Sequence, residues 1–165
     1  MSAPDVAPLD LRELFAQAWE GDGELWRPWW LRALPLPTAF RFRSESLNRT
    51  PDAWDVLDTM TFPDGRTQQR RMHCERLATG VLRLAAKDMP GGATVHPRSD
   101  GFDFAPYVIR QPTLGRLRLP LRHHDTVSLQ PDGTMLDTIE LRLLGVRVGI
   151  VTLHLHRTTA QPAEH

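Results

Sequence analysis

The sequence predicts a mainly β domain, an antiparallel up-and-down β-barrel with a short N-terminal helix. From Thr38 onward apolar and polar residues alternate with a period of two, as in strands with one buried face. Turn sequences such as Pro63-Asp64-Gly65 and Pro131-Asp132-Gly133 interrupt the alternation at intervals of roughly 8–12 residues, which is typical of sandwiches and barrels. About nine strands result, and a meander of hairpins closes naturally on itself, so we favour the barrel.

The chain length fits one domain. At 165 residues the chain can bury a substantial core, and we expect a single barrel domain over residues 9–157. Residues 1–8 are predicted to be a disordered N-terminus, and residues 158–165 a frayed C-terminal tail.

A short amphipathic helix is predicted between Leu9 and Ala18. Its apolar residues recur at helical spacing, and Asp10 is placed to cap the first turn. Gly21 and Gly23 then break the helical period, so we expect an extended segment to begin only at Leu25.

The stretch from Trp26 to Pro37 contains three of the five Trp residues and three prolines. Because proline removes a backbone donor, this stretch cannot be a regular central strand. We interpret it as an irregular segment that packs across one end of the barrel. An exposed surface at Trp26-Arg27-Pro28-Trp29-Trp30 that binds another protein is the alternative, since Trp and Arg are frequent interface anchors.

Cysteine usage and the N-terminus predict a cytoplasmic protein. Cys74 is the only cysteine, so no intramolecular disulfide can form, which suits a reducing compartment. The stretch from Met1 to Pro8 has neither the basic start nor the apolar run of a signal peptide. No apolar run is long enough to span a membrane, so we expect no membrane span.

The charge balance argues against nucleic acid as a partner. Lys+Arg of 20 equals Asp+Glu of 20, which leaves no net positive charge to neutralise a phosphate backbone. The sequence has no phosphate-binding glycine loop, dinucleotide-binding fingerprint or Gly-x-Ser-x-Gly motif, and no cofactor is predicted. His154 and His156 share one face of the last strand, but the inward set is Leu153 and Leu155, so no metal site is predicted. Oligomeric state stays open.

The hairpin around Pro63-Asp64-Gly65 supplies the most informative set of residues. If a three-residue loop joins its strands, Phe62 faces Arg66 and Asp58 faces Arg70. One face of the hairpin then carries both Asp58 and Arg70. Because their neighbours on that face are apolar, we expect it to be the barrel interior. These neighbours are Trp54, Val56, Met60, Met72 and Cys74. Cys74 is expected to pack as a small core residue rather than to act as a nucleophile.

Asp58 and Arg70 have two interpretations. Buried charges are costly unless they are paired, so the two residues could form a structural ion pair. Alternatively, Arg70 anchors the anionic head group of a ligand, because its planar guanidinium matches carboxylate or phosphate geometry.

A second candidate set lies around His123-His124-Asp125, where one strand is expected to end or bend. Asp137 follows on the next strand, and an imidazole near carboxylates can act as general acid and base. Adjacent strand residues point to opposite faces, so at most one histidine faces the cavity. The catalytic candidates are Asp58, His124, Asp125 and Asp137, with solvent-facing or structural roles as the alternative.

Two stretches of the sequence resemble known families. Leu14-Phe15 followed by Trp19-Glu20-Gly21 is similar to the signature of the calycins, the lipocalin-like barrels, in which a short helix runs into the first strand. From about Leu57 to Arg157 the chain resembles an uncharacterised bacterial lipocalin-like family, known only as a domain of unknown function. The residues that carry this second resemblance are Leu57-Asp58-Thr59-Met60-Thr61-Phe62-Pro63-Asp64-Gly65, Arg70, Met72, Asp125, Pro131-Asp132-Gly133, Asp137 and Gly145-Val146-Arg147-Val148-Gly149. The resemblance implies a calycin-like barrel and no particular activity.

The sequence is compatible with three functions from different classes. The leading one is a small-molecule binding protein, whose cavity holds an apolar, anionic ligand. The predicted ligand-binding residues are Trp54, Asp58, Met60, Arg70, Met72 and Tyr107. The second is a barrel-fold isomerase, cyclase or lyase that uses the carboxylates and histidine as acid and base. The third is a protein-interaction domain that uses the segment Trp26–Trp30.

Overall fold

The computed structural model describes residues 9–112 and 118–158 of the chain. The predicted disordered N-terminus, residues 1–8, lies outside this part of the chain, as does the predicted tail beyond Thr158. No helix in the described ranges is long and apolar enough to cross a bilayer.

The described residues form one short helix, a 3₁₀ turn and a series of antiparallel strands. The helix α1 spans Leu11–Phe15 and the 3₁₀ turn Trp29–Leu31. The strands are β1 Trp19–Trp26, β2 Ala39–Leu47, β3 Ala53–Thr61, β4 Thr67–Arg76, β5 Leu82–Ala85, β6 Ala93–Pro97, β7 Gly101–Phe104, β8 Tyr107–Pro112, β9 Arg118–Leu129, β10 Met135–Leu143 and β11 Val146–Arg157. We call the end of the molecule where β1 begins the lower end, and the end where β1 finishes the upper end.

The strands form a closed antiparallel barrel. The strands β1 to β7 pair in sequence order, β7 pairs with β9, β9 with β10, β10 with β11, and β11 with β1. β7 and β8 lie one after the other along the same edge of β9, since Gly101 pairs with Ser128 and Tyr107 with His123. The ring therefore contains ten strands in up-and-down order, which confirms the predicted fold class.

Two strands extend beyond the limits that the sequence predicted for them. β1 begins at Trp19 and includes Gly21, where a Cβ atom would lie 1.8 Å from the carbonyl oxygen of His154 on β11. Glycine therefore permits the close approach of β1 and β11. β9 runs unbroken through His123 and Asp125, paired with β10 from Arg122 to Leu129. The predicted strand start at Leu25 and the predicted end or bend at His123-His124-Asp125 are both wrong, because the backbone ladder continues across each position.

The helix α1 closes the lower end of the barrel. Asp10 accepts a hydrogen bond from the backbone N–H of Arg12 at 2.9 Å, which confirms the predicted cap. Leu11 and Leu14 are buried, and the indole Nε1 of Trp19 donates to the carbonyl oxygen of Leu14 at 3.0 Å. The apolar face of the helix thus becomes part of the barrel core.

A seam runs along the upper half of the barrel between β4 and β8. The short strands β5, β6 and β7 continue the wall only from the lower part of β4. The connection between β5 and β6 covers the gap above them, with Met89 buried. Asp88 links this connection to β4 on one side and to β8 on the other. Its carboxylate lies 3.0 Å from Arg70 Nε on β4, and its carbonyl oxygen accepts a hydrogen bond from the Arg110 N–H on β8 at 2.8 Å.

The tryptophan-rich segment is irregular, as predicted, but it does not pack against the barrel end. Its Trp side chains are largely exposed: Trp26 46%, Trp29 79% and Trp30 48%. Arg27 holds the segment by donating to the carbonyl oxygens of Leu31 and Leu34, at 3.2 and 2.8 Å. The prediction of packing is wrong, because Trp29 is mostly exposed and Trp26 and Trp30 are about half exposed.

We expect Trp29→Ala to change the free energy of unfolding by no more than about 0.5 kcal/mol, as substitutions of exposed residues usually do. Trp54 is the matched comparison, because it is 3% exposed in the barrel core. Trp54→Ala should destabilise by about 3–5 kcal/mol. Urea unfolding followed by circular dichroism measures both values. Equal losses in the two variants would contradict the exposure of Trp29.

Candidate functional site

The hairpin of β3 and β4 has the register that the sequence predicted. Asp58 pairs with Arg70, and Trp54 pairs with Cys74 across the two strands. Trp54, Val56 and Cys74 are buried, so this face is the barrel interior. Burial raises the pKa of the Cys74 thiol to about 12. Cys74 is therefore a core residue and not an activated nucleophile, as expected.

An interior cavity of about 100 Å³ lies inside the lower half of the barrel. Its wall is mostly apolar, with Gln17, Ser44, Asp58 and Asp137 as the polar members. The apolar lining consists of Leu14, Phe15, Trp19, Phe42, Val56, Met72, Leu84, Phe102, Phe104, Val127, Met135 and Leu155. Two carboxyl groups from well-separated strands, β3 and β10, thus reach one largely apolar space.

Arg70 forms its ion pair with Asp88 and not with Asp58. The Arg70 Nε atom lies 3.0 Å from the Asp88 carboxylate, and both side chains are mostly buried. The Nη2 atom of Arg70 is buried and has no hydrogen-bond partner in the described residues. A direct Asp58–Arg70 pair is therefore not formed, because the connection between β5 and β6 supplies a competing carboxylate.

Asp58 and Asp137 are both in surroundings that favour their neutral forms. Burial raises the pKa of Asp58 to about 6, although a hydrogen bond from Ser44 and the charge of Arg70 oppose the shift. Burial also raises the pKa of Asp137 well above its usual range, and the nearby charges of Asp125 and Asp58 act in the same direction. The Oδ1 atom of Asp137 has no partner in the described residues. Asp58 and Asp137 are half-buried, and both line the cavity.

A hydrogen-bonded group lies next to these carboxyls on β8 and β9. The Tyr107 hydroxyl donates to Asp125 Oδ2 at 2.6 Å. Burial raises the pKa of Asp125, which the bond from Tyr107 opposes, and burial also raises the pKa of Tyr107. The His123 ring stacks on Tyr107 with centroids 5.1 Å apart. Burial and then the charge of Arg70 lower the pKa of His123 to about 4, so the ring is neutral at physiological pH.

The histidine that faces the interior is His123, and not the candidate His124. His124 lies on the outer face of β9, paired with Glu140 on β10. His123 and Asp125 are both buried and point inward, since they are two residues apart on one strand. That spacing was visible in the sequence and could have identified His123. Asp88 gave no such signal, because it lies in a connection without periodicity.

The structure brings together some of the predicted ligand-binding residues and separates others. Asp58 and Met72 line the cavity, whereas Trp54, Met60, Arg70 and Tyr107 are not among its lining residues. His154 and His156 are exposed, and Leu153 and Leu155 are buried, as expected. The described residues contain no group of three or more His, Cys, Asp or Glu side chains arranged to hold a metal ion.

The family described as "Protein of unknown function (DUF3833)" matches residues 40–157 of the chain. The chain belongs to the DUF3833 family. No curated protein matches the chain. The matched range begins in β2 and includes Asp58, Asp125 and Asp137, whereas α1, β1 and the tryptophan-rich segment precede it. The predicted resemblance to a family of unknown function is confirmed, and the calycin relationship stays a prediction.

The raised pKa of Asp58 predicts an unusual pH dependence of stability for this DUF3833 domain. A group whose folded pKa is raised adds stability that is fully present below its unfolded pKa, here 3.8, and is lost as the pH rises through about 6. The difference of about two pKa units corresponds to about 3 kcal/mol. Asp58→Asn retains the shape of the neutral acid, so it should match the wild type in acid and exceed its stability by up to about 3 kcal/mol at neutral to basic pH.

Urea unfolding of both proteins across the acid-to-neutral range measures this difference. Asp22→Asn is the control, because Asp22 is an exposed carboxylate on β1. The contribution of His123 is common to both proteins and cancels in the difference. A variant that is less stable than the wild type at neutral pH would show that Asp58 is held there as a stabilising carboxylate.

Proposed function

We propose that this domain binds a compact, mostly apolar and uncharged molecule inside the barrel, with an oxygen atom of the ligand next to Asp58 and Asp137. The proposal is carried by one observation: a largely apolar cavity contains two carboxyl groups whose environment favours the protonated form. Concave apolar sites with a few convergent polar groups are the usual form of small-molecule pockets.

The balance of charge in the interior favours an uncharged ligand over the anionic one that the sequence suggested. Arg70 is already neutralised by Asp88 at 3.0 Å. Asp58, Asp125 and Asp137 supply three further carboxyl groups and no cation, so an anion would lose its hydration in the interior without a free opposite charge to balance it.

The polar atoms without partners suit a hydrogen-bond acceptor on the ligand. A protonated Asp137 has an O–H to donate, and its Oδ1 is without a partner in the described residues. A carbonyl, ether or hydroxyl oxygen would accept that bond at little cost in desolvation. Buried donors and acceptors left unpaired are costly, so a ligand that satisfies them gains affinity.

The size of the cavity favours a ligand of few heavy atoms. Drug-sized ligands occupy pockets of about 300–1,000 Å³, whereas this cavity measures about 100 Å³. Met72 and Met135 line it, and flexible thioether side chains adjust readily to a guest.

The calycin relationship and the cytoplasmic location are parts of the same proposal. Support for the first comes from the up-and-down closure with a helix across one end. Support for the second comes from the single, buried and unpaired Cys74, which suits a reducing compartment.

Acid–base catalysis is the second candidate function. Its support is the short bond from Tyr107 to Asp125 beside the neutral ring of His123, with the pKa of Asp125 raised by burial. Carboxyl groups poised near neutrality are able to accept and return a proton, as an isomerase, cyclase or lyase requires. The candidate set is therefore Asp125, Asp137 and Asp58, with His123 in place of His124.

Binding of three aromatic probes of similar size tests the ligand class. The probes are acetophenone, benzoate and benzylamine, which carry a neutral acceptor, an anion and a cation. We expect acetophenone to raise the melting temperature at neutral pH and to show saturable binding by ligand-observed NMR. Asp137→Leu, which removes the donor, should weaken acetophenone at least tenfold, the effect of one hydrogen bond to a buried polar group. Asp22→Leu on the outer face is the matched control.

Tighter binding of benzoate than of acetophenone would overturn the uncharged ligand class and restore Arg70 as an anion anchor. Failure of every probe to bind would contradict a preformed cavity of this chemistry. The same samples in D₂O test catalysis, because a general base would exchange the methyl protons of bound acetophenone for deuterium. Exchange that is lost in Asp125→Asn would favour the enzyme over the binding protein.

A further inference from the structure

The upper end of the barrel exposes large apolar side chains on two separate connections. The tryptophan-rich segment contributes Trp26, Trp29, Trp30, Leu34 and Leu36, and the turn between β10 and β11 contributes Leu144 and Val146. The two connections adjoin, because Trp26 pairs with Ile150 and the Arg147 guanidinium lies 5.6 Å from the centre of the Trp26 ring. They therefore form one continuous surface, which we call the upper patch.

Leu144, in the turn between β10 and β11, lowers the stability of the isolated folded chain in two ways. Its side chain is 92% exposed, and its backbone has a φ of +49°, the left-handed region that disfavours a bulky residue. Turns of this kind favour Asn-Gly, and here the sequence is Leu144-Gly145. The folded chain gives this leucine almost no contact in return.

Positive charge surrounds the upper patch. Five arginines in the upper half of the barrel have no carboxylate partner within the described residues: Arg27, Arg32, Arg110, Arg118 and Arg122. Between Leu25 and Phe42 the sequence contains no acidic residue. Glu24 and Glu140 are acidic residues of the upper half, and they are fewer than these arginines. The lower end carries both signs, with Asp52, Asp100 and Asp132 beside Arg49, Arg76 and Arg157. Positive charge is therefore in excess near the upper patch.

We propose that the upper patch docks on the surface of an anionic lipid bilayer. Trp side chains favour the interface between headgroups and acyl chains, and arginines gain from anionic headgroups. A hollow beside the patch is lined by Trp26 and also by Glu24, so it suits an anionic partner less well than the exposed turns do. Leu144 and Trp29 stand on these turns, where their side chains can insert into a bilayer surface. A second copy of the chain would bring the two sets of arginines together, which repulsion opposes. The bilayer is thus the occupant that matches both shape and charge.

Vesicle sedimentation tests the proposal. We expect the protein to bind vesicles of phosphatidylcholine mixed with phosphatidylglycerol, to bind pure phosphatidylcholine weakly, and to dissociate as the salt concentration rises. Leu144→Asn should lower the partition coefficient about tenfold, because it removes one inserted side chain. The same variant should raise the melting temperature, since Asn tolerates the left-handed backbone. Opposite effects on folding and on binding separate a docking role from a structural one.

The charge requirement is tested by a matched pair of arginine variants. Arg32→Gln beside the upper patch should weaken binding to anionic vesicles about fivefold. Arg83→Gln in β5, in the lower half of the barrel, should leave this binding unchanged. Absence of binding to anionic vesicles would overturn the proposal, and so would equal binding by wild type and Leu144→Asn. A dimer that forms through the upper patch in sedimentation equilibrium would replace the bilayer with a second copy.

Discussion

Closure of the ten-strand ring is the constraint on which the rest of the structure depends. Closure turns every second residue of each strand toward one small interior, whatever the polarity of that residue. Three carboxyl groups enter this space, Asp58 from β3, Asp125 from β9 and Asp137 from β10, and burial raises the pKa of each. The chemistry of the cavity is therefore set more by desolvation than by pairing with cations.

The closure of the barrel also determines the ion-pair partner of Arg70. The short strands β5 to β7 leave a seam, and the connection that covers it brings Asp88 to 3.0 Å from Arg70 Nε. The mostly buried guanidinium of Arg70 thus holds the wall. This use of Arg70 is one reason why we propose a neutral ligand rather than an anion.

The sequence predicted those features that depend on local periodicity and failed on those that depend on distant contacts. The register of Asp58 with Arg70 followed from the alternation and the turn at Pro63-Asp64-Gly65. The start of β1 was predicted at Leu25 rather than Trp19, because the close approach of His154 that requires glycine at position 21 comes from the other end of the chain. Asp88 was missed because side chains in connections follow no period. The exposure of Trp29 was missed because composition alone does not distinguish a packed ring from an exposed one.

The central claim is that burial raises the pKa of both cavity carboxyl groups, Asp58 and Asp137, above the ordinary value of an aspartic acid. Carbon-13 NMR of the Asp side-chain carboxyl carbons, followed over a pH titration, measures this for each residue. The account predicts a midpoint of about 6 for Asp58 and a higher one for Asp137. Midpoints for both residues near 3.8, the ordinary value for an aspartic acid, would mean that the interior carries charged carboxylates, and would contradict the account.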